Sequence, residues 1–374
     1  MNSTQEAVAS AGPSSRDSPL ATPACDFRMP AEWEPHESTW IAWPHHGSDW
    51  PGKFPTIPWV YGEIARKIVP GERLSVLVNS ARHESRARRV LSRAGVDLSR
   101  VRFFLFPTNR GWTRDSGPLF VRRSGPGDEI GIVRFRFNGW AKYDDWDLDD
   151  QIPELAARAL GYPLYRAEIN GSLLVLEGGS IDVNGEGALL TTEECLLDRE
   201  VQPRNPQLTQ TQIETALRRY LGVREIIWLG KGIAGDDTHG HVDDVCRFTG
   251  PRTAVLCQED DSGDANYAPL QENRERLEGA RLRDSSRLEV VALPMPAPLY
   301  FNGQRLPASY ANFYLASAAV LVPTFNDPKD RVALGILAEL FRDRPVIGIH
   351  AVDLIWGLGT IHCLTQQQPH LRRE

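Results

Sequence analysis

Apolar and polar positions alternate in blocks along most of this chain. Residues 73–79 (RLSVLVN) and 101–107 (VRFFLFP) are apolar runs that bracket a charged stretch, residues 81–95 (ARHESRARRVLSRAG). A short apolar run predicts a buried strand, and a longer charged stretch with spaced apolar residues predicts a surface helix. The order recurs. Residues 130–137 (IGIVRFRF) lead to a helical 146–161, and a hairpin at 181–192 leads to a helix at 208–222 and a strand at 224–230. The hairpin turns at Asn184-Gly185, a pair that tolerates positive φ. Strand, helix and strand return at 253–258, 266–282 and 288–294, and again at 318–325, 327–341 and 345–350.

The predicted helices begin near Ala81, Asp147, Leu208, Tyr267 and Asp327. The interval is about sixty residues each time, and fixed spacing marks a repeat architecture. Five such units predict an α/β fold of five β/α modules in a ring, with loops converging on one axis. An open α/β sheet alternates in the same way. The long loops carrying His, Asp and Trp favour the ring. Neither a dinucleotide fingerprint nor a P-loop is present.

Composition narrows the picture. The chain has 374 residues, 41% hydrophobic and 24% charged, as in globular proteins. Net charge is −7 and no basic run occurs, which argues against nucleic acid and is compatible with a cationic ligand. Five cysteines lie without paired spacing, so a reducing, cytoplasmic setting without structural zinc is expected. Residues 1–26 are rich in Ser, Ala, Thr and Pro and read as a disordered tail, with one domain over 27–370. No run approaches about eighteen apolar residues, so no membrane span is expected.

Polar residues beside glycine supply the candidate chemistry: Asp115 in GWTRDSGP, Glu177 in LEGGSIDVNGEG, His241 and Asp243 in DDTHGHVDD, and Cys363 in GTIHCLTQQQP. Each is read at the end of a strand in a different unit, where catalytic groups tend to sit. Each also has a plain reading: a core cysteine, a local Arg114–Asp115 pair, a solvated Glu177, a polar His241–Asp243 pair on one strand face. His239, His241 and Asp243 at alternate positions also suggest a metal-dependent amidohydrolase, although same-face strand neighbours lie about 6.5–7 Å apart. A cysteine with a histidine suggests nucleophilic catalysis. Carboxylates on separate loops suggest a grip on a planar guanidinium, whose N–H donors have fixed directions.

With MPAEWEPHESTWIAWP, LEGGSIDVNGEGALLTTEECLL and PASYANFYLASAAVLVPTFNDP added, these motifs resemble the agmatine deiminase family over about residues 27–369. The resemblance implies a five-bladed β/α propeller, the pentein fold. It implies Cys363 as nucleophile, His241 as general acid/base, Asp115 and Asp243 as guanidinium ligands, and Glu177 in support. It places Trp112, beside Asp115, along the tunnel for the alkyl chain, and adds Asn138 as a substrate-binding residue. The implied reaction converts agmatine and water to N-carbamoylputrescine and ammonia without a metal or organic cofactor, and relatives are commonly dimers. The chain departs from the family at His239, where many agmatine-specific members have aspartate, at GLGTIHC, and at FNGWAKYDDWD. His239 either faces the distal end of the substrate or points away from it. Arginine derivatives and peptidyl-arginine are the alternative substrates.

Overall fold

The computed structural model describes residues 27–123 and 128–371; the expected tail over 1–26 lies outside them, as does Cys25. All five expected helices form. Ala81–Arg93 starts where the Ser80 side chain accepts from the His83 N–H. Gln210–Leu221 and Pro328–Leu340 start at reciprocal caps, Thr209 with Gln212 and Asp327 with Asp330. These caps satisfy N–H groups that a first helical turn leaves open. Tyr267–Gly279 begins at the expected place. The remaining helix begins at Ile152 rather than Asp147, because a 3-10 turn over Asp149–Gln151 precedes it. Pro153 then occupies the first turn, where its missing N–H costs nothing.

Five sheets share one plan: an antiparallel pair followed by a parallel pair whose connection contains a helix. Asp182–Val183 pairs antiparallel with Ala188–Thr192, which pairs parallel with Glu225–Leu229. The same order holds for Cys246–Gly250, Thr253–Gln258 and Glu289–Pro294, and for Tyr314–Leu315, Val320–Thr324 and Val346–His350. Leu119–Arg123, Glu129–Arg134 and Leu164–Arg166 repeat it, with Phe27–Arg28 added at the edge. The fifth sheet is assembled from both ends of the chain. His36–Ala42, Arg73–Leu77 and Val101–Phe104 run parallel, and Gln366–Pro369 adds antiparallel to His36–Ala42. The helix Ile57–Ile68, between the first two of these strands, escapes the repeat pattern. No described helix is long and apolar enough to cross a membrane.

A buried charge cluster ties these sheets together. Glu32 is 4% exposed. Its carboxylate meets Arg114 Nη2 and Arg247 Nη2, both at 3.1 Å, and His362 Nε2 at 2.8 Å. It also accepts from the Leu315 N–H at 2.8 Å. Burial opposes the charge on Glu32, but Arg247, His362 and Arg114 outweigh it and hold the carboxyl well below the usual range. Removing one partner of a buried pair strands the others. Glu32→Gln is therefore expected to lose about 3–5 kcal/mol of stability in urea denaturation. A loss below about 1 kcal/mol, the range of a surface pair, would remove Glu32 from this role.

Candidate active site

Four short helical turns carry the candidate residues. Thr113–Ser116 holds Asp115, and Gly178–Ser180 follows Glu177. Val242–Asp244 holds Asp243 and follows His241, and Ile361–Leu364 holds Cys363. The Asp115 turn packs against those of Cys363 and Glu177, and the Glu177 turn packs against that of His241 and Asp243. The expected strand through residues 239–243 is thus a turn, and His239 has a positive φ of 64°. Alternation along a strand does not relate His241 to Asp243; a tight turn does.

Backbone glycine makes the convergence possible. A Cβ at Gly179 would lie 2.5 Å from His241 Nδ1, 2.8 Å from Asp115 Oδ1 and 3.1 Å from Asp243 Oδ2. Only hydrogen leaves room for three functional groups there. The Gly179 N–H donates to Asp115 Oδ1 at 3.0 Å, and Trp140 Nε1 donates to Asp115 Oδ2 at 2.9 Å. Gly359 answers for the glycine run before the cysteine. A Cβ there would meet Trp112 at 2.9 Å and the Cys363 sulfur at 3.1 Å.

His241 is buried, with Nδ1 3.7 Å from Asp115 and Nε2 3.8 Å from Glu177. Both ring nitrogens, Glu177 Oε2 and Asp243 Oδ1 have no hydrogen-bond partner among the described residues. Burial opposes the imidazolium, but Asp115, Cys195 and Glu177 outweigh it and raise the His241 pKa well above the histidine norm. Glu177 receives Arg204 Nε at 3.0 Å. Burial pushes Glu177 up, but Arg204 and His241 bring it down to about 2. Asp115 rises to about 6 through burial, with Asp243 and Glu177 adding repulsion against the pull of His241. Asp243 accepts from His362 Nδ1 at 2.6 Å. The Cys363 sulfur lies 3.9 Å from Asp243 and receives Asn312 Nδ2 at 3.1 Å. Burial and the acids Asp243, Asp244 and Asp115 push its thiol well above the ordinary cysteine pKa.

A cavity of about 250 Å³ opens on this cluster, with Asp115, Cys363, Trp112 and Trp140 in its lining. Asp243, His241 and Glu177 stand behind the lining. Asn138 does not line it. Its side chain accepts from the Ala141 N–H at 2.9 Å and holds the turn that presents Trp140. His239 also lies outside the lining, and its Nε2 meets Asp198 at 3.2 Å. His239, His241 and Asp243 do not come together as metal ligands among the described residues. Glu177, Cys195 and His241 do lie within 4.8 Å, as do Asp243, Asp244 and Cys363.

Sequence reasoning misses Glu32, Asn312, His362 and Arg204, which fix the named residues from behind. Glu32, Asn312 and His362 lie in motifs already singled out, and His362 directly precedes Cys363, whereas Arg204 lies outside those motifs and has no local signal. Trp140 is foreshadowed by its place in a polar, tryptophan-rich loop.

Comparison with known proteins follows the same lines. The family described as Porphyromonas-type peptidyl-arginine deiminase matches residues 28–369. The chain is 37% identical to an agmatine deiminase of Pseudomonas aeruginosa, covering 95% of this chain and 99% of the relative. It is 36% identical to an agmatine deiminase of Medicago truncatula, over 92% and 96%. Among solved structures, the Enterococcus faecalis agmatine deiminase has TM-score 0.82 at 32% identity, over 92% of this chain and 96% of that one. A C. jejuni agmatine deiminase with substrate bound also has TM-score 0.82, at 30% identity, over 93% and 97%. With this agreement in both sequence and α/β fold, the chain belongs to the Porphyromonas-type peptidyl-arginine deiminase family.

Proposed function

We propose that this protein hydrolyses a guanidino group, with agmatine as substrate and N-carbamoylputrescine and ammonia as products. The observation that carries the reading is one cavity with Cys363 and Asp115 in its wall and His241, Asp243 and Glu177 directly behind. The shared name of the relatives supports agmatine. The repeated plan of the five sheets, closed by the C-terminal strand, supports reading them as blades of a five-bladed propeller. Residues 27–370 then act as one catalytic unit, and a homodimer is part of the same expectation.

The free thiol of Cys363 is held protonated by the acids around it. A guanidinium gripped by Asp115 and Asp243 brings the positive charge that favours the thiolate. The thiolate adds to the guanidinium carbon. His241, cationic at rest, gives its proton to one departing nitrogen, and ammonia leaves. The product is an S-alkylthiouronium on Cys363. Neutral His241 then takes a proton from water, hydroxide adds to the same carbon, and the C–S bond breaks as the added hydroxyl's proton passes to the departing sulfur, giving the ureido product and the Cys363 thiol. Glu177, paired with Arg204, keeps His241 oriented and supports its charge.

Cys363→Ala is expected to abolish ammonia release, and His241→Ala incubated with agmatine should gain substrate-derived mass at Cys363. Near wild-type turnover by Cys363→Ala would sink the nucleophile assignment. Asp115 supplies a pH prediction. Its carboxyl titrates at about 6. Above that pH it is an anion able to hold a cation, and below it the charge is lost. In the free enzyme, kcat/KM should fall about tenfold per unit below pH 6. Asp115→Asn should lower kcat/KM by about one to two orders of magnitude and remove that limb. An unaltered acid limb in the variant would take Asp115 out of substrate binding. Dialysis against EDTA is expected to leave the rate unchanged; loss of activity restored by zinc would favour a metal-dependent amidohydrolase.

A further inference from the structure

The cavity wall contains two acids besides Asp115, namely Asp49 and Asp237, and Asp49 is well separated in sequence from the catalytic turns. Asp49 ends the 3-10 turn Gly47–Asp49 and is 7% exposed. It lines the same cavity as Cys363. Its Oδ1 accepts from Arg110 Nη1 at 2.5 Å, with His46 Nδ1 at 3.5 Å. Its Oδ2 is buried without a hydrogen-bond partner among the described residues. The other acids of the wall are engaged. Asp115 accepts from Gly179 and Trp140, and Asp237 accepts from Lys142 Nζ and the Tyr143 hydroxyl at 2.5 and 2.7 Å.

Arg110 lines this cavity too, but its fork is already spent. Nε and Nη2 donate to Asp145 Oδ1 at 3.2 and 3.0 Å, and the guanidinium lies 4.4 Å from the Tyr143 ring centre. A carboxylate arriving here meets an arginine already paired with two aspartates and an unpartnered aspartate oxygen. An ammonium arriving here meets a buried acceptor atom with no hydrogen bond of its own. Burial lifts the Asp49 carboxyl above the ordinary range even with Arg110 and His46 beside it.

The packing behind the cavity wall, from Asp49 toward the thiol, is aromatic. Trp50 follows Asp49, and its ring centre lies 5.3 Å from that of Trp112, which packs at Gly359 beside Cys363. The Tyr61 hydroxyl is raised by burial and by both Asp49 and Cys363, so both ends of the path reach it. Trp112, Phe301, Leu306 and Trp356 line the cavity that Asp49 and Asp115 share, and apolar surface flanked by acids suits an alkyl chain carrying a cation at each end.

We propose that Asp49 is a specificity-determining residue that receives the distal ammonium of the substrate through Oδ2, selecting guanidines that end in a primary amine over those that end in a carboxylate. The inference rests on the deimination reading above. It assigns the distal recognition to Asp49, in place of the His239 considered from the sequence.

The test compares kcat/KM for agmatine, n-pentylguanidine and arginine in wild type and in Asp49→Asn. n-Pentylguanidine has the same chain length with a methyl in place of the amine. Wild type should prefer agmatine to n-pentylguanidine, and arginine should rank last. In Asp49→Asn the agmatine to n-pentylguanidine ratio should fall by about 10- to 100-fold, the range of a charge-assisted hydrogen bond, and mainly through KM. A ratio unchanged by the substitution overturns the inference. So does a wild type that handles n-pentylguanidine as well as agmatine, a result that needs no folded variant and leaves deimination standing. Ammonia release from none of the three by wild type overturns the deimination reading itself, and the inference with it.

Discussion

Glu32 is the constraint on which the rest of the molecule rests. Two arginines and a histidine from three distant parts of the chain are buried around one carboxylate. Desolvating four ionisable groups is tolerable only when each meets its partner at hydrogen-bond distance. That requirement fixes the Cys363 turn, through His362, and the Asp115 turn, through Arg114. The site inherits its geometry from a charge balance one layer behind it.

The same accounting explains the resting site. His241 is enclosed by acids and favours its charged form, whereas Cys363 is enclosed by acids and disfavours its own. One set of carboxylates raises both pKa values, and the outcome differs because protonation charges the imidazole but neutralises the thiolate. The surplus negative charge beside the cavity is in keeping with the cationic substrate proposed above.

The helices are legible in the sequence because capping and periodicity are local. Asp327 and Asp330 meet across a single turn, so their pairing is written within four residues. The hairpin at Asn184-Gly185 is legible for the same reason. The candidate set is legible by motif, since its residues sit near glycines whose missing side chains make room. The illegible part is nonlocal. Glu32 reads as one more acid near the start, and nothing nearby announces Arg247 or His362. His239 reads as a strand neighbour of His241, yet its left-handed backbone turns it toward Asp198. Asn138 sits in the right loop, but its side chain is used in holding the backbone that aims Trp140.

The strand Gln366–Pro369 completes a sheet begun by His36–Ala42, with His36 opposite Pro369. Cys363 lies three residues before that strand. The Cys363 sulfur is therefore positioned by the most sequence-distant strand pairing among the described residues, a slow kind of contact to form. On the proposed reading, a growing chain holds Asp115 and Asp243 long before it holds Cys363, and the thiol reaches its place only when Gln366–Pro369 is stitched to His36–Ala42.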